Sequence, residues 1–510
     1  MGKPPSTSNR HNGKSPENHY ATDTSMQFVG LSRDWGDENG SDITPLWAMS
    51  GGRTRMGWVL RLVETETDTA GRSVDVLDLG QCQDIGDIAK LGPTLPEAKQ
   101  LLTRVQQEIV AQQARDRALL RPSCSSCGGA CHVKDWRLHQ VATLFGMVAV
   151  RLPRFRCVSC GRGEACISWP SHCRSTPELD QVRAHLSALM PYRVATGVLT
   201  HLLPVASGNS PETLRRHTLR IGEQLRAAPA VKLAAAPESI TVTADSTFIR
   251  SRENGERHLE VHVGNVETTE GSRRVFAGVA SSNTDIADLI RRNLEAIGRT
   301  SATPVTAFTD GCSGLVPILA AAGITQRPVA DWFDIAMRLQ HAKLAASGLS
   351  TDKPGRIAAK AAIIKEVERL RWRIWHGKAK DAQLTFERIR KVMHVFRGER
   401  AHRTKGVASR KLWHALHEVN NYLRGQSARL INYAARSRAG QRVGTSVTEG
   451  AANFLVNRRM NKSQQMRWSQ RGADLLLQVR CAVYNGVFGS GFGQLFGPLS
   501  RSRAELAVAA

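Results

Sequence analysis

Apolar and polar residues alternate through residues 238–251. Ile240, Val242 and Ala244 take one parity, and Thr241, Thr243 and Asp245 the other. A period of two predicts a strand with one face buried. Residues 258–263 alternate through Leu259, Val261 and Val263, and residues 273–281 through Val275, Ala277 and Val279. Turns rich in Gly, Glu and Asn join the three runs, which predicts an antiparallel meander. Residues 285–297 are amphipathic at helical spacing, behind a cap at Asn283 or Thr284. Residues 304–309 form a short β-run that ends in Asp310-Gly311. Residues 315–322 read as helix and 327–332 as a fifth strand.

The resulting order, β-β-β-α-β-α-β-α, is that of a ribonuclease-H-like fold: a mixed sheet with helices on its faces. It spans 238–334 and resumes over 441–487. Between these parts, residues 335–440 read as a basic all-α insertion, where Trp372 and Trp375 are spaced like one helix face. The chain before the core divides further. Residues 1–50 are rich in Ser, Gly, Asn, Asp and Pro and are expected to be a disordered tail. Residues 51–120 suggest a small hairpin and then a helix over 94–118. In that helix Leu95, Ala98, Leu101, Leu102, Val105 and Ile109 recur at three and four. Residues 176–226 are helical, with a break at Pro191. Their last helix has Ser210 as cap, Pro211 at its first position and Leu214, Leu219 and Ile221 inward. Arg215, Arg216, His217 and Arg220 fall mostly outward, which fits a helix-turn-helix reader of DNA or an ordinary helical unit with a solvated basic face. Residues 227–237 read as a linker, and 488–510 as a Gly-rich tail.

Charge gives the chain a partner. Its 510 residues hold 70 Lys and Arg against 45 Asp and Glu, a net charge of +25. Residues 338–442 alone hold 25 basic and 7 acidic residues, a net +18. Such a concentration argues for a polyanion, most simply nucleic acid. The first residues lack the apolar stretch of a signal peptide, and no apolar run approaches a membrane span. A cytoplasmic location is therefore expected.

Cys124 and Cys127 form one CxxC pair, and Cys157 and Cys160 another. Two such knuckles can complete a tetrahedral zinc site, with four protein ligands and no open position, so its role would be structural. Residues 121–175 therefore read as a zinc ribbon, whose strand-like stretch is 141–152. Cys131, His132, Cys166, His172 and Cys173 are nearby alternatives for the fourth ligand. Arg151, Arg154 and Arg156 on the second arm suggest contact with phosphate.

Three acids are candidates for catalysis. In a ribonuclease-H-like sheet the first and fourth strands are neighbours, which would bring Asp245 to Asp310. Glu449, in the first turn of a helix begun by Ser446 or Thr448, could close the site, with Asn453 and Asn457 on the same face. Asp331 and Asp334 compete for the role. Carboxylates suit magnesium or manganese, and two ions can activate a water or 3′-hydroxyl and stabilise the leaving oxygen at phosphorus. Arg458, Arg459 and Lys462 follow Glu449 with positive charge for the scissile strand.

Several blocks carry a resemblance. They are ATLFG, VRLPRFRC with VSCG, TLRRHTLR, VTADST, FTDG, ADWFDIAMRLQH, TEGAANFLVNRRM and QQMRWSQRGADLLLQVR, between about residues 142 and 480. With these the chain resembles bacterial insertion-sequence transposases of the DDE class, most closely the Kra-type group. The resemblance implies a catalytic triad at Asp245, Asp310 and Glu449, Mg²⁺-dependent cleavage of the element's ends and strand transfer into target DNA. It also implies binding of terminal inverted repeats by the N-terminal part, a homodimer or larger synaptic complex, and a bacterial, nucleoid-associated location. Trp468 and Gly472 belong to the closing motif, and Arg467 and Arg471 would touch DNA. Two other readings stay open: a ribonuclease-H-like nuclease or resolvase that cuts without joining, and a zinc-ribbon DNA-binding regulator whose acids are structural.

Overall fold

In a computed structural model of the chain, the described residues are 57–63, 73–81, 92–167, 174–205, 209–228, 236–253, 255–279, 283–309, 314–399, 406–426, 429–461 and 466–490. The expectations placed on residues 1–50, His172, Cys173, Asp310, Lys462 and most of the 488–510 tail lie outside them.

Strands β1 (Gly57–Val63) and β2 (Ser73–Gln81) pair antiparallel. Helix α1 (Leu95–Leu119) begins behind Thr94, whose backbone N–H donates to Glu97 Oε2 at 2.7 Å, with Pro96 in the first turn. Next come β3 (Cys131–Thr143) and β4 (Gly146–Cys157), a long antiparallel hairpin with β5 (Gly163–Ala165) on its outer edge. The sequence suggested one strand-like stretch over 141–152, but the chain reverses inside it. Gly146, at φ 114°, takes a conformation closed to other residues, and Thr143 Oγ1 donates to its carbonyl at 2.8 Å.

Helices α2 (Pro177–Leu189), α3 (Tyr192–Leu202) and α4 (Pro211–Ala227) follow. Pro191 separates the first two. Ser210 Oγ caps α4 by accepting from the Thr213 N–H at 3.1 Å.

The large sheet contains β6 (Ile240–Arg250), β7 (His258–Thr268), β8 (Arg273–Gly278), β9 (Val305–Thr309) and β10 (Val329–Ala330). Their spatial order is β10-β9-β6-β7-β8. β6, β7 and β8 run antiparallel in succession, whereas β9 is parallel to β6 and β10 to β9. Helices α5 (Asn283–Ala296) and α6 (Leu315–Ala321) cover one face, where Ile240, Val242 and Ala244 pack against Ile286, Ile290 and Ile318. The fifth strand is shorter than residues 327–332. Asp331 already caps the next helix, so Trp332 is helical rather than extended.

That helix, α7 (Trp332–Ser347), opens an all-helical stretch with α8 (Arg356–Trp375), α9 (Ala379–Val392), a 3₁₀ segment (Met393–Glu399), α10 (Val407–Gln426) and α11 (Tyr433–Arg438). Its core is continuous with the sheet edge, because Phe308, Val329 and Ala330 pack among its buried residues. Trp372 and Trp375 do not share a face. Trp375 lies against Trp332 and Tyr433, whereas Trp372 is half exposed beside His376 and Lys378.

The chain then crosses to the second face of the sheet with α12 (Ser446–Ala452), a π-helical segment (Asn453–Asn461), α13 (Gln470–Tyr484) and the short α14 (Val487–Ser490). Here Ala451, Leu455, Val456, Leu476 and Leu477 pack on Val261, Val263 and Ala277. α13 also packs on the upstream helices through Ala184, Ile221 and Val479. Gly222 of α4 passes so close that a Cβ would lie 2.4 Å from the Leu475 carbonyl oxygen. Among the described residues, no helix is long and apolar enough to cross a membrane.

Candidate functional site

Asp245 sits on the central strand β6, opposite Val263 of β7, on the face covered by α12 and α13. The parallel pairing of β6 with β9 ends at Ala244 opposite Thr309. Asp245 is thus the next residue on β6. Asp310 is the next in sequence after Thr309 and lies outside the described residues. Asp245 is half-buried, and its Oδ1 accepts the Ser246 N–H at 2.7 Å.

Glu449 is delivered to the same face by its own helix. Thr448, the residue before it, is fully buried and shares a hydrogen bond with the Thr243 hydroxyl. Thr243 is two residues from Asp245 on the same side of β6. Glu449 itself is exposed at this end of α12. The two acids therefore flank a buried contact between their neighbours, across 205 residues of sequence.

Asp331, a competing acid in the sequence, has a different task. It is buried, and its Oδ1 accepts from Phe333 N at 2.8 Å and Thr445 N at 3.0 Å, while Oδ2 accepts from the Thr445 hydroxyl. One carboxylate thus caps α7 and holds the residue that precedes α12. Gly444 is required beside it, since a Cβ there would fall 2.3 Å from Asp331 Oδ1. The returning chain is tied down at two further points. Arg442 donates to both Glu267 oxygens at 2.6 and 2.9 Å, and Arg436 Nη2 donates to Thr241 Oγ1 at 3.4 Å. Burial alone would raise the Glu267 carboxyl; Arg442 and Arg273 outweigh it and hold it below its ordinary range. Thr445 carries no signal in the sequence; of the two residues expected to start the helix, Ser446 does so and Thr448 lies inside its first turn, while Thr243 is marked only by sharing the parity of Asp245. Asp331 does carry a signal, an Asp ahead of an apolar helical run, which marks a helix cap rather than the strand end expected over 327–332.

After α12 the winding changes. Arg480 of α13 donates through Nε to the Leu455 carbonyl at 2.7 Å and through Nη2 to the Phe454 carbonyl. These guanidinium bonds satisfy carbonyls within the π-helical segment. Burial, and then the charge of Arg459, push the Arg480 guanidinium down to about 10. Asn453, exposed like Glu449, still closes an α-turn with it through its N–H and the Glu449 carbonyl, whereas Asn457 lies within the π-helical segment and is half-buried.

The arginines assigned to DNA divide by exposure. Arg459 is 1% exposed, donates to the Ser187 carbonyl and lies over the rings of Tyr192 and Trp468. It is a core residue, and the expectation that it holds a DNA strand is withdrawn. Arg220 is turned inward to Asp180, which is fully buried and also contacts Arg183, Ser175 and, at 2.8 Å, His217 Nδ1. The outward placement of Arg220 and His217 is likewise corrected, because a buried carboxylate recruits the cations around it. Desolvation would raise the Asp180 carboxyl, but His217, Ser175 and Arg220 hold it low. Arg215 and Arg216 stay exposed near the start of α4, the former beside Glu212 at 2.7 Å. Arg154 is occupied by Asp135 across the β3–β4 hairpin. Arg156 is exposed and donates to the Gly161 carbonyl at 3.2 Å. Arg458, Arg467 and Arg471 are exposed, and Arg471 pairs with Glu223. Trp468 donates through Nε1 to the Met460 carbonyl at 3.1 Å and packs in the core beneath α12, while Gly472 lies in the first turn of α13, capped by Ser469.

The four CxxC cysteines do converge. The sulfurs of Cys124, Cys127, Cys157 and Cys160 all lie within 4.8 Å of one another, with three pairs at 3.5 Å. A tetrahedral thiolate site with metal–sulfur bonds of about 2.3 Å needs S···S distances of about 3.8 Å. The cluster could hold a metal such as zinc. The two knuckles repeat one geometry. Cys124 and Cys157 accept, through their carbonyls, the N–H groups of Gly128 at 2.9 Å and Gly161 at 3.1 Å, and both glycines are left-handed at φ 70° and 72°. In the second knuckle the backbone N–H of Cys160 leads in pulling the Cys157 thiol down to about 6. Cys131 and Cys166 are buried beside the cluster but are not members of it. Comparison with protein-family models and with curated proteins gives no match to the chain.

Proposed function

We propose that the chain is a DNA transposase of the DDE class, with a ribonuclease-H-like core and a zinc ribbon at Cys124, Cys127, Cys157 and Cys160. The observation that carries the reading is the buried hydrogen bond between Thr243 and Thr448, which seats the helix bearing Glu449 on the sheet face that bears Asp245. A central strand flanked by one parallel and one antiparallel neighbour presents an acid on the face where a distant helix presents another. The β10-β9-β6-β7-β8 order is the one expected of that core.

Asp245 and Glu449 offer the hard oxygen donors that Mg²⁺ or Mn²⁺ takes, so the residues fit such ions, with Asp310 as the third ligand of the proposal. Bound there, the ions would supply activation of the attacking oxygen and charge stabilisation at phosphorus. The protein's own part is positional. Thr243 and Thr448 hold α12 on the sheet, Asp331 fixes the approach to it, and the exposed Arg458 and Arg467 offer positive charge for DNA phosphates.

The test is cleavage and joining of duplex DNA carrying the flanks of the chain's own coding sequence, with and without Mg²⁺. Nicked ends that become joined to target DNA support the reading. Cleavage without joining would favour a nuclease or resolvase, and DNA binding without either would favour a regulator.

A further inference from the structure

Two arginines lie in the interior on neutral partners. Arg459, in the π-helical segment, is 1% exposed, and Arg480, on α13, is 2% exposed. Arg459 donates through Nε to the Ser187 carbonyl at 3.3 Å and through Nη1 to the Met466 sulfur at 3.7 Å. Arg480 donates to the Leu455 and Phe454 carbonyls. Among the described residues, no carboxylate balances either charge, and Arg459 is close enough to work against the charge of Arg480. A buried guanidinium without a counter-charge costs more than neutral carbonyls return. Four donors are also left over. Arg459 Nη2, Arg480 Nη1, Ser187 Oγ and Tyr192 Oη are buried and without a hydrogen-bond partner. Ser187 and Tyr192 both adjoin Arg459, whose guanidinium carbon lies 5.1 Å from the Tyr192 ring centroid. Burial pushes the Tyr192 phenol up, so it keeps its proton and can donate.

We propose that Arg459, Ser187 and Tyr192, with Arg480 as second charge, form an internal binding site for a halide ion, chloride in the first instance. The donor set selects an anion over water. A water molecule accepts two hydrogen bonds and leaves both charges unbalanced, whereas a halide accepts from every donor within reach and neutralises one guanidinium. The surroundings select a small ion. Trp468, over which Arg459 also lies, and Met466 bring apolar surface, against which the oxygens of a larger anion would find no donors. The site joins separate parts of the chain. Ser187 belongs to α2 and Tyr192 to α3, whereas Arg459 follows α12 and Arg480 belongs to α13. The bound ion would thus fasten the upstream helices to the elements on the second face of the sheet. The inference does not depend on the catalytic proposal.

The full chain is dialysed into sodium gluconate, whose anion is too large to be enclosed, and titrated with sodium chloride at constant ionic strength while its melting temperature is followed. Ser187→Ala/Tyr192→Phe removes two donors and keeps both charges; Arg371→Met, at an exposed position, is the control for anions on the basic surface. The melting temperature of wild type and control should rise and level off, by about 1–2 °C at a tenfold excess over the dissociation constant. The double variant should lose the rise. Crystals soaked in bromide should show anomalous density beside Arg459. A rise that never levels off, or one that the double variant keeps, is general anion binding and overturns the proposal. Equal melting in both salts, with water alone beside Arg459, overturns it too, as does bromide density without the saturable response. Should the double variant fail to fold, Tyr192→Phe alone should raise the chloride concentration for half-saturation several-fold, and an unchanged value overturns the proposal. DNA cleavage is untouched by any of these outcomes.

Discussion

The hydroxyls of Thr243 and Thr448 share a buried hydrogen bond, and through it the strand that carries Asp245 is joined to the helix that carries Glu449. Neither threonine is a chemical group of the proposed reaction. Together they fix the position of two that are.

Removing one partner strands the other. Thr243→Val should destabilise the fold by about 1–3 kcal/mol, because the Thr448 hydroxyl is left buried without a partner. Thr243→Val/Thr448→Val should cost less than the sum of the single changes, as expected for groups in direct contact. Urea unfolding of the four proteins measures the cycle. Additive losses would mean that the contact contributes nothing.

Asp245→Ala and Glu449→Ala should each lower DNA cleavage by at least about 10²-fold, the scale of losing one preorganised electrostatic group. Binding of element-end DNA should persist, because neither acid belongs to the basic surface. Gel-based cleavage and binding assays on the same preparations separate the two effects. Undiminished cleavage by Asp245→Ala would end the catalytic reading.

Metal content distinguishes the cysteines. Wild-type chain should carry one tightly held zinc at the four-cysteine cluster, and Cys124→Ser or Cys160→Ser should lose it. Cys131→Ser should retain it, since Cys131 stands outside the four-sulfur cluster. Elemental analysis after exhaustive dialysis gives the answer. Zinc that persists in Cys160→Ser would remove that residue from the site.

DNA affinity should fall steeply with salt. On the proposed function, each phosphate contact made by this chain of net charge +25 would add about 0.9 to the slope of log K against log salt concentration. Arg216→Ala and Arg467→Ala should each reduce that slope, and Arg459→Ala should instead reduce stability, because its guanidinium is buried among Tyr192 and Trp468. Titrations at several salt concentrations test the first part and thermal melting the second.

Local pattern was enough to place most of the strands and helices of the sheet, the cap of α4 and the paired knuckles. Each is written in neighbouring residues: a period of two, a period near 3.6, a Ser-Pro start, or Cys at spacing three with Gly behind. Parity alone put Asp245 on the face opposite Ile240, Val242 and Ala244. Partner choice is a different kind of information. Arg220 and Arg459 look like any outward arginine in sequence, yet Asp180, Tyr192 and Trp468 draw them inside from other segments.

The sequence by itself therefore determined the elements and the residue types available for chemistry, because backbone period and turn geometry depend on near neighbours. Only the tertiary structure decided which of them meet. Four sulfurs were gathered from two knuckles, Asp331 was committed to Thr445, and Glu449 was brought to the face of Asp245. Those outcomes depend on packing and charge pairing between segments far apart in the chain, where a single buried carboxylate or hydroxyl settles its partner by what else can reach it.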